Sequence, residues 1–278
     1  MIEAKIIADS ISQTNARLTT FQLIYPRMVH AELMTHRVFS RNASSSRAIP
    51  VAKIIQQVID NPAMPVYWGK NQKGMQAREE LTGEALEKAK QIWLAARDAA
   101  VVEARKLVEI DLHKQIANRI LEPWHHIHVV VTATDFDNFF ALRCHPDAQP
   151  EIKILAEQMR DLFYTNKPKV AEIGMWHLPY VGYAPILVPQ NQGEIKASVA
   201  RCARVSYMTH DNQNPTLEKD IELHDQLLAS VHMSPFEHPA TPMVDPSQYS
   251  GNFRGWIQYR KTIKGECYTN YVRPTQKS

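Results

Sequence analysis

H128-V-V-V-T-A-T134 stands between Pro123 and the amphipathic run Asp135–Arg143, and its reading decides the fold. Branching at Cβ restricts χ1 and suits a pleated, half-buried surface, so the run favours a strand. The start of a buried helix is the other reading. Upstream, Leu18–Tyr25 is rich in β-branched and aromatic residues, and Ile6–Ala8 precedes a polar turn at Ser10–Asn15. The opening therefore reads strand, turn, strand. Pro26 closes the second strand and starts a helix across Met28–His36. From Ala77 to about Leu121, apolar residues recur at three- and four-residue steps, which predicts more than one helix. Glu151–Tyr164 carries a good apolar stripe, and Thr216–Val231 follows an Asn214-Pro215 start signal. Residues 167–195, with four prolines, read as an ordered excursion or connector, and 244–278 as a turn-rich tail. Strands and helices do not alternate regularly. The expected fold class is α+β, an antiparallel sheet with packed helices.

The chain has 278 residues, of which nine are glycine, about half the roughly 7% of an ordinary protein. Neither G-x-G-x-x-G nor G-x-x-x-x-G-K-[ST] occurs, so both standard glycine loops for phosphate are absent. With 32 basic and 29 acidic residues the charge is too balanced to imply a nucleic-acid or membrane surface. Cys144, Cys202 and Cys267 are far apart and odd in number, which indicates neither a zinc ribbon nor a disulfide framework. The first ten residues, MIEAKIIADS, do not read as a signal peptide, and no apolar run is long enough for a membrane span. The expectation is a soluble cytoplasmic protein with no membrane or nucleic-acid partner.

The densest polar cluster is His36, Arg37, Ser40, Asn42, Ser45 and Arg47. Arginine offers a bidentate fork to phosphate, and serine hydroxyls fill its remaining acceptor positions. By composition alone the cluster reads more readily as a solvated loop with a helix cap. A serine nucleophile is unattractive, because no G-x-S-x-G elbow is present and nothing supplies a base. The segment H232-M-S-P-F-E-H238 gathers His232, Ser234, Glu237 and His238 around one turn. Its spacing is not a zinc pattern, and the triplet His125, His126 and His128 is better explained as core or surface histidines, so no metal is expected. Arg119 and Arg143 end apolar helical stretches, where ordinary C-terminal charges are also found.

Taken jointly, the clusters are more specific. The string H36-R-V-F-S-R-N-A-S-S-S-R47 resembles the R-H-R-x-x-S-x-N-E-x-S-x-R-Y signature of the flavin-dependent thymidylate synthases. A203-R-V-S-Y207 is similar to that family's A-R-V-S-[FY], and H232–H238 to its H-x-[ST]-P-F-E-H. N118-R-I-L-E-P123, N138-F-F-A-L-R143 and A148-Q-P-E-I152 resemble three further family segments. Their order differs from the family's usual one, in which the A-R-V-S and S-P-F-E-H segments come first. A circular permutation accounts for this. It implies one domain across 1–278, with a core of 1–165 plus 200–243.

The resemblance implies FAD as cofactor, methylenetetrahydrofolate and NADPH as co-substrates, and a homotetramer with shared sites. Arg143 would be the catalytic cation set against the uracil ring of dUMP. Glu32, Ser45, Arg47 and Arg119 would join it in binding that nucleotide. His36, Arg37, Asn138, Ser206, His232, Ser234 and Glu237 would contact flavin or folate. Departures from the pattern are Glu32, Thr35, Ala43, Ala48, Thr132 and Thr134. Asn252, Arg254, Trp256, Gln258, Arg260 and Lys261 are candidates to replace the lost groups, although a solvated basic tail is an equal reading. Two other functions stay open: hydroxymethylation of deoxyuridylate or deoxycytidylate, and a non-catalytic nucleotide- or nucleic-acid-binding module.

Overall fold

A computed structural model describes residues 1–185, 192–205 and 215–266. H128–T134 is a strand, part of β4 (His126–Ala133). It pairs antiparallel with β2 (Arg17–Pro26) from Thr19 to Pro26 and with the short β3 (Ser40–Ala43) on its other side. β2 pairs antiparallel with β1 (Glu3–Ser12), whose register shifts between Ile6 and Ala8. β5 (Lys169–Ala171) adds in parallel to β1 and completes the order β3-β4-β2-β1-β5. The valine run sits centrally because both of its faces are buried: Val129, Val130 and Val131 have no exposed surface.

On one face Phe21, Leu23, Val129 and Val131 pack against Phe136, Phe139 and Phe140 of the segment entering and forming α5 (Asp137–Arg143). Ile152, Leu155, Ala156 and Met159 of α6 (Pro150–Thr165) close the same core. Proline occupies the first turn of α6, where its missing N–H costs nothing. Gln149 is the N-cap residue there. α1 is only His30–Met34, preceded by a 3-10 turn at Arg27–Val29, so the helix anticipated over Met28–His36 is shorter than its apolar pattern suggested.

A second cluster lies beside the first. α2 (Val51–Asp60) and the long α3 (Gly83–Glu109) bring Ile54, Val58, Val101 and Ala104 onto Leu121 and Trp124. α4 (Lys114–Ala117) and a 3-10 turn, Asn118–Trp124, lead from them into β4.

Residues 166–199, anticipated as a connector or excursion, carry β5, β6 (Met175–Leu178), β7 (Gly182–Pro185) and most of α7 (Gln192–Ala203). β6 and β7 join β8 (Ala240–Pro242) and β11 (Trp256–Gln258) in a sheet ordered β11-β8-β6-β7, and β9 (Tyr249–Ser250) and β10 (Phe253–Arg254) form a hairpin. Pro168, Pro179 and Pro185 stand at the ends of short strands; Trp176, His177 and Leu178 are buried. The anticipated tail is likewise tied down, for Trp256 is fully buried and its Nε1 donates to the Ala16 carbonyl at 3.1 Å. α7 packs on α8 (Leu217–Ala229) through Asp220, whose buried carboxylate is held by Arg201 Nε at 2.9 Å and by Arg204 Nη1. Among the described residues no helix is long and apolar enough to cross a membrane.

Candidate active site

Three residues expected in one site meet where α1 and α5 end. Arg143, in the last turn of α5, extends its guanidinium across to α1: Nη1 lies 2.7 Å from a Glu32 carboxylate oxygen. Its Nε donates to His36 Nε2 at 3.0 Å, and its Nη2 donates to the Glu32 carbonyl and the Thr35 hydroxyl. His36 accepts with Nε2 and must therefore be neutral. Burial, reinforced by the nearby Arg143 and Arg41 charges, lowers its pKa to about 4. The ring lies edge-on to Phe139 and stacked on Phe39, which fixes its plane.

The local sequence builds this corner. Thr35 turns its hydroxyl back to the Glu32 carbonyl at 2.7 Å, ending α1 after little more than a turn. Arg41 on β3 donates to the carbonyls of Met34 at 2.9 Å and His36 at 3.1 Å, satisfying the C-terminal acceptors that a short helix leaves open. Phe139 and Phe140 anchor α5 in the core, while Asn138 on the same helix is exposed.

A second group forms after β3. Asn118, fully buried, donates from Nδ2 to the carbonyls of Ser46 at 2.7 Å and Ile49 at 2.9 Å. That pins the Ser45–Arg47 turn against the Asn118–Trp124 turn. Arg119 lies there as expected, but its Nη1 is 3.0 Å from Glu122, which also accepts from Ser46 Oγ and faces Arg27. Ser45 is half-buried and Arg47 exposed, and neither side chain has a polar partner among the described residues.

The third group is the turn Ser234–Glu237. Ser234 and His232 are exposed, and Glu237 is paired with Arg260 Nη1 at 2.6 Å. Gln258 Nε2 donates to the Glu237 carbonyl and to Ser40 Oγ, each at 3.1 Å. Asn252 accepts from Ser40 Oγ at 3.1 Å and donates to the Val38 carbonyl at 2.8 Å. Of the candidate replacements, Asn252, Gln258 and Arg260 thus reach expected site residues. Arg254 pairs instead with Asp135, Lys261 with Glu266, and Trp256 is spent on the core. Arg37 is exposed without a polar partner among the described residues, and Ser206 lies outside them. No three His, Cys, Asp or Glu side chains converge among the described residues.

The order of these segments, β3 to the Asn118 turn to α5, follows the order of a known family. The model of the thymidylate synthase complementing protein family matches residues 14–169. The chain belongs to that family. Membership makes it a thymidylate synthase-like transferase of a methyl or hydroxymethyl group. The matched stretch holds Glu32, His36, Ser45, Arg47, Arg119 and Arg143, and the H232–H238 segment lies beyond it. No curated protein matches the sequence. Among solved structures, the UMP/dUMP methylase PolB from Streptomyces cacaoi bound with 5-Br UMP is 18% identical with a TM-score of 0.48, covering 59% of this chain and 89% of that one. The same enzyme bound with 5-Br dUMP is 20% identical with a TM-score of 0.43, covering 54% and 66%.

Sequence reasoning missed Thr20 and His177, both buried and hydrogen-bonded beneath the third group. A threonine that follows Thr19 in a strand and a histidine among prolines carry no signal of a shared partner.

Proposed function

We propose that this thymidylate synthase complementing family member transfers a one-carbon unit from methylenetetrahydrofolate to C5 of dUMP, giving dTMP with FAD as cofactor and NADPH as reductant. The observation that carries this reading is the meeting of Arg143 with Glu32 and neutral His36 within the family-matched segment. C5 attacks only when electron density is pushed into the ring from N3, and a fixed guanidinium beside the ring stabilises that charge. Arg143 would do this. Glu32 holds it before the nucleotide arrives and would then take the hydrogen bond of N3–H and draw off its proton as that density moves into the ring.

The donor set fits anionic ligands. Arg37, Ser45, Arg47, Asn138 and Ser234 carry polar hydrogens with no partner among the described residues. Ser45, Arg47 and Arg119 would hold the nucleotide phosphate, and His36, Arg37, Asn138, Ser206, His232, Ser234 and Glu237 would line the flavin and folate sites. When bound, FAD supplies the hydride that completes the methyl group. No protein nucleophile is needed, in keeping with a Ser45 hydroxyl that has no base beside it among the described residues. A circularly permuted single domain, assembled as a homotetramer with shared sites, completes the proposal.

A second reading, hydroxymethylation, is favoured by Thr132 and Thr134. Thr132 is fully buried, and Thr134 Oγ1 donates to Asp135 at 2.8 Å, so neither is free to meet a cofactor as the family's residues there would. Incubation of the purified protein with dUMP, labelled methylenetetrahydrofolate and FAD, with and without NADPH, tests both. A methyl mass increment that requires NADPH supports the first reading. A hydroxymethyl increment without reductant overturns it, and no labelled nucleotide at all sinks both.

A further inference from the structure

One row of hydroxyls crosses the five-stranded sheet. Ser40 on β3 is in register with Thr132 on β4, and Thr132 with Thr20 on β2, so the three side chains share a face. None is more than 1% exposed. A hydroxyl buried without a partner is unfavourable, so the row must be answered from above. Every answer comes from beyond residue 175. Ser40 meets Asn252 and Gln258, Thr132 meets His238 Nδ1 at 2.8 Å, and Thr20 meets His177 Nε2 at 2.7 Å. Thr20 and Thr132 also bond each other at 2.8 Å, and His177 Nδ1 continues the chain to Ser10 Oγ at 2.6 Å.

The two histidines are neutral struts. Burial lowers each to about 3, so each ring carries a single N–H. Ser10, His177, Thr20, Thr132 and His238 then hold one polar hydrogen apiece, one more than the bonds that join them. A hydroxyl that accepted from both sides would strand its own buried hydrogen, so the bonds run in one sense from end to end. The tautomer of His238 is therefore tied through the chain to Ser10. Its Nε2 is buried and has no partner among the described residues.

The row also pins Glu237 from both sides. Gln258, seated on Ser40, holds the Glu237 carbonyl, and Thr132 holds the next residue, His238. We propose that Thr132 is a positioning residue: it seats the His232–His238 turn on the family-matched sheet and selects the His238 tautomer, and thereby sets where Glu237 and Ser234 stand for the flavin. This rests on the FAD reading above and adds to it a role for a residue that departs from the family pattern.

The test uses Thr132→Val, Thr132→Ser and Ser10→Ala, with FAD titration and ¹⁵N resonances of the histidine rings as readouts. Thr132→Val is expected to weaken FAD binding about tenfold, the loss of one good hydrogen bond, and to move the His238 ring resonances. Thr132→Ser restores both. Ser10→Ala, remote along the chain of bonds, shifts the His238 resonances without touching the turn, an effect that packing alone does not produce. Wild-type FAD affinity and unmoved His238 resonances in Thr132→Val overturn the proposal. If that variant does not fold, unmoved resonances in Ser10→Ala overturn it instead. A wild-type protein that binds no FAD removes the flavin reading, while the resonances still decide the row.

Discussion

Arg143 and Glu32 are joined twice: the guanidinium reaches the Glu32 carboxylate at 2.7 Å and the Glu32 backbone carbonyl at 3.3 Å. The pair ties the last turn of α5 to α1, and it leaves Arg143 with little unspent hydrogen-bonding capacity until a ligand displaces Glu32.

Glu32→Gln and Arg143→Ala should separate the pair's two roles. The pair is partly exposed, so Glu32→Gln is expected to change stability by no more than about 1 kcal/mol. Arg143→Ala is expected to lower turnover about a hundredfold or more, as removal of a preorganised charge does elsewhere. Thermal melts and steady-state rates with dUMP check both. A full-rate Arg143→Ala enzyme would remove Arg143 from the chemistry.

Arg47 is exposed and unpartnered among the described residues, so its loss touches no fold contact. Arg47→Ala should keep the wild-type melting temperature and weaken dUMP binding about tenfold, measured by calorimetry at two salt concentrations. The salt dependence should shrink with the lost phosphate contact. Unchanged affinity would place the phosphate elsewhere.

Stability should fall in acid in a defined window. His36 and His126 are lowered to about 4, and His177 and His238 to about 3, chiefly by burial. In the unfolded chain these rings take up protons near pH 6.5, so between pH 6.5 and about 4 the unfolded state binds more protons than the native one. Their contribution is complete above pH 6.5 and is lost progressively as the pH falls. Melting temperatures measured from pH 8 to pH 4 should be flat at first and then decline, and His126→Asn should make the decline shallower. A curve flat to pH 4 contradicts the burial of these rings.

Asp220 is fully buried between Arg201 and Arg204. Asp220→Ala leaves two guanidinium groups facing each other without a counter-charge. It should cost about 3 kcal/mol in urea unfolding, against a smaller loss for Asp220→Asn, which keeps an acceptor. Arg204 belongs to the A203–Y207 motif, so an equal, negligible loss in both variants would return that motif to ligand binding alone.

Trp256 tests whether the C-terminal strands belong to the core. It is fully buried beside Leu18, Ala240 and Phe253, and Trp256→Ala should cost about 3–5 kcal/mol. A loss below about 1 kcal/mol would mean that these strands fray independently.

Much of the fold was legible because its signals are local. The β-branched run at 128–134, the strands around Leu18–Tyr25, and the helices at 137–143, 150–165 and 217–229 announce themselves through side-chain shape and period. The strands between Lys169 and Pro185 did not, being three or four residues long and set among prolines that mark turns and short strands alike. In the site, motif spacing was enough to nominate Glu32, His36 and Arg143, which do meet.

The sequence by itself determined the fold class, the absence of glycine phosphate loops, and the residue types available for gripping an anion, because each depends on composition or on neighbours within a few residues. Only the tertiary structure decided which charges are already spent: Arg119 on Glu122, Glu237 on Arg260, Arg204 on Asp220. It alone revealed that Thr20, Ser40 and Thr132 form one row answered by His177, His238 and Gln258. Pairing in a sheet joins residues more than a hundred positions apart, and burial then obliges each hydroxyl to find a partner. No local pattern carries that obligation.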